Sequence, residues 1–240
     1  MLLLPFSRKV IVTSLATAVL FFAVVHLAAM VVEFASGDVD YFTRRHLGTI
    51  RLQFDLEGEA NLTTWYSSIT LLLCAVLLQN IAHARRLTRD PWAGHWTFLA
   101  VVFVLASIDE VAMMHEAMTV PLHNLLHTSG VFYYAWVVVA LPVVAGLGLA
   151  SLRFLASLPR RRCIEFVVAG GVFLSGALGL EMVEGVIATQ GGEGTLLMVL
   201  ARWLEEVLEM VGVLLFVRAL LSFSASDRPS SVAAAELQVL

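Results

Sequence analysis

The sequence predicts an all-α protein, a polytopic transmembrane bundle of about six helices. Of its 240 residues, 59% are hydrophobic and 14% are charged, whereas an ordinary soluble domain carries about 25% charged residues. The mean hydropathy is +0.86, and the apolar residues fall in long runs that one soluble core of this size cannot bury. Runs of about 20 apolar residues are long enough to cross a bilayer. We therefore expect a multi-pass membrane protein.

The apolar runs divide the chain into a single transmembrane domain, residues 1–222, followed by a tail. The first run follows Arg8 and Lys9 and is long for a signal peptide, so an uncleaved first span is expected. Residues 223–240 are mostly small and polar, and we predict a disordered cytoplasmic tail there. The six spans are placed at about residues 10–32, 62–82, 96–116, 131–155, 164–187 and 199–222.

The basic residues predict that both termini lie in the cytoplasm. Of the 15 Lys and Arg residues, eleven fall in the segments that this orientation makes cytoplasmic, and four fall on the opposite side. Such an excess is typical of cytoplasmic loops. The eleven are Arg8, Lys9, Arg85, Arg86, Arg89, Arg153, Arg160, Arg161, Arg162, Arg218 and Arg228; the four are Arg44, Arg45, Arg51 and Arg202.

Two outer connections carry local structural signals. Asn61, just before span two, is a good N-cap residue. After span three, Pro121 suits the first turn of a short helix. His123 and His127 are four residues apart, so they would share one face of that helix. We expect the short helix to lie at the outer surface or to dip into it.

Span five contains a seam of small residues. Gly171, Ser175 and Gly179 recur at four-residue intervals, so they fall on one helix face. Small residues let the backbones of neighbouring membrane helices approach closely. The seam therefore predicts that another helix packs against this face of span five.

The most unusual feature is a set of acidic residues inside three of the spans. Each acid costs about 2.5–3.5 kcal/mol at a helix centre, and such groups usually face a bundle interior or a water-filled cavity. At 1.5 Å per residue, the acids of all three spans come at the outer end of the bundle. Glu57, in the long outer loop, is placed outside this site. The converging residues are Asp109, Glu110, His115, Glu116, Glu181, Glu184, Glu205, Glu206 and Glu209, with Glu59 just before span two.

Helical spacing supports a shared face for only part of this set. Glu181 and Glu184 are three residues apart and lie on one side of a helix. Glu110 and His115 are five residues apart and diverge on a regular α-helix. Both enter one site only if the helix bends or bulges between them.

The balance of charges indicates that the site binds cations or protons. So many carboxylates beside so few basic groups cannot all stay ionised in a low dielectric. Glu and His from facing helices can hold a pair of iron or manganese ions, and such ligands also suit zinc. We expect one or two divalent metal ions, iron or manganese before zinc, while Met residues on the outer half leave copper open. The predicted ligands are Glu110, His115, Glu181 and Glu209, then Asp109, Glu205 and Glu59, with Glu184 and Glu206 as catalytic residues.

Three kinds of function fit this site. The first is an enzyme, either an oxidoreductase acting on a lipid or quinone or a metal-assisted hydrolase. The second is a cation- or proton-coupled transporter, although spans three, five and six contain no ionisable residue between about Phe98 and Ala106, Phe166 and Leu180, or Met210 and Val217. The third is an accessory subunit of a membrane complex. Membrane lipid is the expected partner, nucleic acid is excluded by the lack of a basic stripe, and the oligomeric state is left open.

Three segments resemble a family of uncharacterised bacterial multi-span membrane proteins. They are Asp109-Glu110 with His115-Glu116, residues 176–181 and residues 205–210. The likeness extends from about residue 54 to residue 221 and implies six spans in a bacterial inner membrane, without implying an activity. The Glu-x-x-His motif of ferritin-like membrane di-iron enzymes is absent. His123 and His127 have the His-x-x-x-His spacing of ceramidase-like membrane hydrolases, but outside a clear span.

Overall fold

The computed structural model describes residues 7–35, 48, 51–58 and 60–226, and within these it contains helices and no strand. A 3-10 turn, Gly130–Phe132, comes before the fifth helix, and a π-helical turn, Ser175–Leu180, joins the sixth helix to the seventh. The helices are α1 (Arg8–Ala35), α2 (Leu62–Leu87), α3 (Ala93–Ala112), α4 (Met114–Leu126), α5 (Val137–Ser157), α6 (Arg160–Leu174), α7 (Glu181–Thr189) and α8 (Leu196–Ser226).

Six helical segments are long and apolar enough to cross a membrane, which confirms the predicted six-span fold. The fifth segment consists of α6, the π turn and α7 together. Of the tail predicted to be disordered, residues 223–226 continue α8 and the rest lies outside the described residues. The six segments are Arg8–Val32, Leu62–Leu87, Ala93–Ala112, Val137–Ser157, Arg160–Thr189 and Leu196–Ser224.

The two ends of the bundle differ in charge. One end, here called the acidic end, holds the end of α3, all of α7 and the start of α8, where the acids of these helices lie. The other, here called the basic end, holds Arg85 near the end of α2 and Arg160 to Arg162 at the start of α6. Which end faces the cytoplasm stays a prediction from the distribution of basic residues.

The core of the bundle lies between α2, α3, α6 and α8. Ser68 of α2 and Ser107 of α3 each donate a hydrogen bond to the other's backbone carbonyl, both at 2.9 Å. These bonds satisfy two hydroxyl groups where a bilayer offers no water. Towards the basic end the core is aromatic, with Trp96 packed edge-on against Phe166 and the ring of Phe166 against Phe216.

The first helix is fastened to this core by two long-range hydrogen bonds. The hydroxyl of Tyr66 donates to the carbonyl of Leu15 at 3.0 Å, and the indole of Trp203 donates to the carbonyl of Ala23 at 3.1 Å. Both acceptors are α1 carbonyls. The bonds connect α1 to α2 and α8, so the N-terminal span is part of the bundle.

The third span ends earlier than the sequence predicts. Met113 has φ 53° and ψ 37°, a left-handed conformation that stops α3 at Ala112. The chain then starts α4 at once, so Pro121 lies inside this helix rather than in its first turn. His127 is the left-handed residue that ends α4, so it lies beyond the helix that contains His123. The break places His115 on a different helix from Glu110.

The close contact between the fifth and sixth spans is made by two glycines. A Cβ on Gly212 of α8 would lie 2.6 Å from the backbone nitrogen of Phe173. A Cβ on Gly176 of the π turn would lie 2.7 Å from the backbone oxygen of Glu205. Real Cβ atoms do not approach backbone this closely, so the two spans can pack this way only with glycine at both positions.

The predicted seam of small residues does not make this contact. Gly171, Ser175 and Gly179 are all exposed, and a Cβ on Gly171 would have no neighbour within 4 Å. The face of the fifth span that packs against α8 is instead the one that carries Phe173 and Gly176.

Candidate functional site: a carboxylate cavity

A cavity of about 580 Å³ opens at the acidic end. Nine carboxyl groups of the described residues line it, and the basic groups among its lining residues are Arg202 and His115. Every predicted site residue that the structure describes is among the residues that line this cavity. Glu59 lies outside the described residues. The nine carboxyl groups belong to Glu57, Asp109, Glu110, Glu116, Glu181, Glu184, Glu205, Glu206 and Glu209.

The remaining walls of this carboxylate cavity are largely apolar. They are formed by aliphatic or aromatic side chains from α2, α3, α5, α6 and the π turn, on the side that leads towards the middle of the bundle. The cavity is therefore amphipathic, with a charged part and an apolar part. Its apolar residues include Leu71, Ala106, Ala140, Val144, Phe173, Leu174 and Ala177.

Asp109 and His115 form a pair across the break between α3 and α4. One carboxylate oxygen of Asp109 accepts the backbone N–H of His115 at 3.0 Å, and the other lies 2.6 Å from its Nδ1. The first bond satisfies an N–H in the first turn of α4 that has no intrahelical acceptor. Asp109 thus supports the break that turns His115 towards the cavity.

Neighbouring carboxylates favour the charged form of the His115 imidazole. Burial alone lowers the pKa of His115, but the hydrogen bond and charge of Asp109 raise it, as do the charges of Glu116 and Glu181. The net result is a pKa above the ordinary value. The ring also lies 4.7 Å from that of Trp136, measured between centroids. His115 is therefore a basic group among the lining residues of the carboxylate cavity.

The indole of Trp136 holds Glu181. Its Nε1 donates to Oε1 of Glu181 at 3.1 Å. Trp136 stands directly before α5, so this bond also joins the start of α5 to the start of α7. It fixes one of the acids that line the cavity and brings an aromatic ring beside it.

The carboxyl groups of Glu184 and Glu205 are buried together. Glu184 is only 3% exposed and Glu205 8%. No described residue provides a hydrogen-bond partner for Oε1 of Glu184. A buried polar atom without a partner is costly, so this oxygen is able to accept a hydrogen bond from a ligand.

Arg202 connects three parts of the site. Its guanidinium donates to Glu57 at 3.0 Å and to the Tyr134 hydroxyl at 3.2 Å, and its Nε lies 3.5 Å from Oε2 of Glu184. Glu57 therefore belongs to the cavity, and its placement outside the site was wrong. The error arises because Glu57 and Arg202 are 145 residues apart in sequence, a separation that local patterns do not bridge.

The segment that carries Glu57 is fixed by two buried polar residues. Nδ1 of His26, in α1, accepts the backbone N–H of Leu56 at 2.9 Å. Asn61 accepts the N–H groups of Thr63 and Thr64, which confirms it as the N-cap of α2, and its amide donates to the carbonyl of Gly58 at 2.6 Å. These contacts hold the segment over one side of the carboxylate cavity.

A sequence profile described as "Domain of unknown function (DUF8692)" matches residues 17–223. The chain belongs to the DUF8692 family. The match includes every described residue of the carboxylate cavity and nearly the whole six-span bundle, so in this member of the DUF8692 family the cavity is part of the family domain. No curated protein and no solved structure matches the chain.

Sequence reasoning missed three residues of this DUF8692 site: Glu57, Tyr134 and Trp136. One signal in the sequence could have indicated Trp136, because a Trp at the end of a span has an N–H that requires a partner. His123 and His127 are not among the residues that line the cavity. Within residues 7–35, 48, 51–58 and 60–226, no three His, Cys, Asp or Glu side chains form a group able to hold a metal ion. The predicted metal ligands other than Glu59 line one cavity, and metal binding stays a prediction.

Proposed function

We propose that this integral membrane protein binds an amphipathic organic cation, an amine with an apolar portion, in the carboxylate cavity. The excess of carboxyl groups carries the proposal. Nine of them line the cavity, whereas the basic groups among its described lining residues are Arg202 and His115. Carboxyl groups gathered in a low dielectric repel one another strongly when they are ionised, so protons or a bound cation stabilise such a group.

The size and lining of the cavity favour an organic cation. Its volume of about 580 Å³ falls in the range of small-molecule sites, about 300–1,000 Å³. The apolar wall fits a hydrocarbon portion, while the faces of Trp136 and Tyr134 attract an ammonium group. An amine also supplies the hydrogen-bond donors that buried carboxylates such as Glu184 require.

The layer beneath the cavity supports a binding site that is open at the acidic end rather than a pathway through the bundle. Two turns towards the basic end, Phe103 stacks on Phe216 with 4.9 Å between ring centroids. Phe166 packs against the same Phe216 ring at 5.1 Å. These rings fill the core between α3, α6 and α8, so a bound cation has an apolar barrier below it.

The Asp109–His115 pair favours a second candidate, a metal site. A histidine that binds a metal through one ring nitrogen usually has its other nitrogen bonded to a carboxylate or carbonyl, and Asp109 provides such a partner to Nδ1. In this alternative, Glu110, Glu181 and Glu209 complete the ligand set. Glu184 and Glu206 would then transfer protons in an oxidoreductase or hydrolase that acts on a lipid-like substrate.

Ligand-dependent thermal stability of the purified full chain distinguishes the two candidates. In mild detergent, octylammonium at about 100 times its Kd is expected to raise the Tm by about 5–10 °C. Octanol, with the same hydrocarbon and no charge, is expected to leave the Tm unchanged. In a second set of Tm measurements, manganese, iron, zinc or copper ions replace the octylammonium.

Two variants complete the test. Glu184→Gln is expected to remove most of the octylammonium effect, because it removes one of the buried carboxylates. Glu193→Gln is the matched control, since Glu193 is exposed and lies outside the lining of the carboxylate cavity. Equal shifts with octanol and octylammonium, or a full shift in Glu184→Gln, would overturn the proposal. A shift with a metal ion alone would establish the second candidate.

A further inference from the structure

A second cavity, here called the basic-end cavity, lies at the opposite end of the bundle, outside the proposed cation site. Its volume is about 660 Å³, and the ends of α2, α3, α5, α6 and α8 surround it. All five helices belong to candidate membrane spans, so the cavity lies where the spans leave the apolar layer. The residues that matter here are Arg85, Arg161, Arg162, Trp92, Phe154 and Phe223.

The basic-end cavity carries a net positive charge. Arg85 pairs with Asp90 at 3.1 Å, while Arg161 and Arg162 share one carboxylate, Glu165, at 3.1 and 2.8 Å. Three guanidinium groups and two carboxylates leave a charge of +1. Arg161 has 81% of its side chain exposed and bonds Glu165 through Nε. Its two terminal nitrogens have no hydrogen-bond partner in the described part of the chain.

The floor of the basic-end cavity is aromatic and closely packed. Phe154 is completely buried, with its ring centroid 4.8 Å from that of Trp96 and 5.7 Å from that of Trp92. The guanidinium of Arg85 lies over the ring of Phe223 at 5.1 Å. The floor holds Arg85 in place by a cation–π contact, and its half-buried member, Trp92, offers an apolar surface beside the three arginines.

This combination fits one kind of ligand. Guanidinium groups recognise phosphate by paired, charge-assisted hydrogen bonds, and basic pockets between membrane helices bind acidic lipid headgroups. An apolar floor beside the arginines accommodates the glycerol and upper acyl groups that free phosphate lacks. Between Val137 and Phe154, no residue of α5 is buried, so acyl chains have access along this helix. We propose that the basic-end cavity binds the phosphate headgroup of an anionic membrane phospholipid.

Lipid binding to the delipidated full chain in dodecyl maltoside tests this proposal. Native mass spectrometry or a lipid-dependent rise in Tm is measured with phosphatidylglycerol, phosphatidylcholine and inorganic phosphate. Phosphatidylglycerol is expected to bind about 10-fold more tightly than phosphatidylcholine, the difference expected of one charge-assisted contact. Equal binding of the two lipids would overturn the proposal. Displacement of phosphatidylglycerol by millimolar inorganic phosphate would also overturn it, because the site would then select a free anion.

Arginine variants locate the binding. Arg161→Gln is expected to lower the affinity for phosphatidylglycerol by about 10-fold, and because Arg161 is exposed the variant is expected to fold. Arg162→Gln is a second variant, although Arg162 also bonds the carbonyl of Ser222. Arg153→Gln removes the same charge near the same end, from an exposed position outside the cavity lining. An equal loss in Arg153→Gln would show that only general surface charge attracts the lipid, and would contradict the proposal.

Discussion

The contact between the π turn and α8 gives the sharpest prediction, the replacement of Gly176 by alanine. The added Cβ would lie 2.7 Å from the backbone oxygen of Glu205 and 3.0 Å from Cγ of Glu209. An ordinary contact requires about 3.4 Å, so α8 must move away from the π turn by roughly 0.7 Å. Over-packing of this kind typically costs about 1–3 kcal/mol. The displaced backbone belongs to two acids of the carboxylate cavity, so ligand binding is expected to weaken as well.

Thermal unfolding in mild detergent measures the effect of Gly176→Ala. For a chain of this size, 1 kcal/mol corresponds to about 2–4 °C in Tm, so a fall of about 2–12 °C is expected. Gly171→Ala is the matched control, because it makes the same chemical change in the same span with no neighbour within 4 Å of the new Cβ. Its stability is expected to stay the same or rise slightly, since alanine favours helix. If both variants melt alike, the close approach at Gly176 does not restrict the packing of α8.

Three further predictions concern charge and topology. The pKa of His115 is higher in the folded protein than the value of about 6.5 in the unfolded chain. As long as the Asp109 carboxylate is ionised, the pairing therefore stabilises the fold fully below the unfolded pKa. This stabilisation is lost as the pH rises through the folded pKa. The Tm difference between wild type and Asp109→Asn is therefore expected to shrink as pH rises from about 6 to 9, and a constant difference would contradict this. Replacement of Arg202 by Gln is expected to strengthen octylammonium binding in calorimetry, because it removes a competing cation, and weaker binding would show that Arg202 orders the site. Reporter fusions after Arg162 are expected to report cytoplasm and fusions at Asn124 the outside, and the reverse result would invert the predicted topology.

The six-span fold could be predicted because its cause lies in local composition. Apolar runs of sufficient length form helices in a bilayer whatever their detailed packing, since only internal hydrogen bonds satisfy the backbone there. The rise of 1.5 Å per residue was also enough to place acids from three spans at similar depth. These inferences need helix positions and directions, and no side-chain detail.

The turns that shape the cavity could not be predicted in the same way. Met113 is neither glycine nor asparagine, so its left-handed conformation leaves no signal in composition. It is supported by Asp109, whose carboxylate holds the N–H and ring of His115. The residues of the π turn, likewise, are compatible with an ordinary α-helix. Both irregularities depend on tertiary contacts, and such contacts override local propensity.

The π turn fixes the angular phase of everything that follows it in the fifth span. In an α-helix each residue advances the chain by about 100° around the axis. Deletion of one residue from Ser175–Leu180 would restore a regular helix and rotate α7 by that angle relative to α6. The span would still cross the bilayer, yet Glu181 and Glu184 would turn away from α8 and towards lipid. A single residue of chain length, rather than any one side chain, thus determines whether the carboxylates of this helix face the cavity.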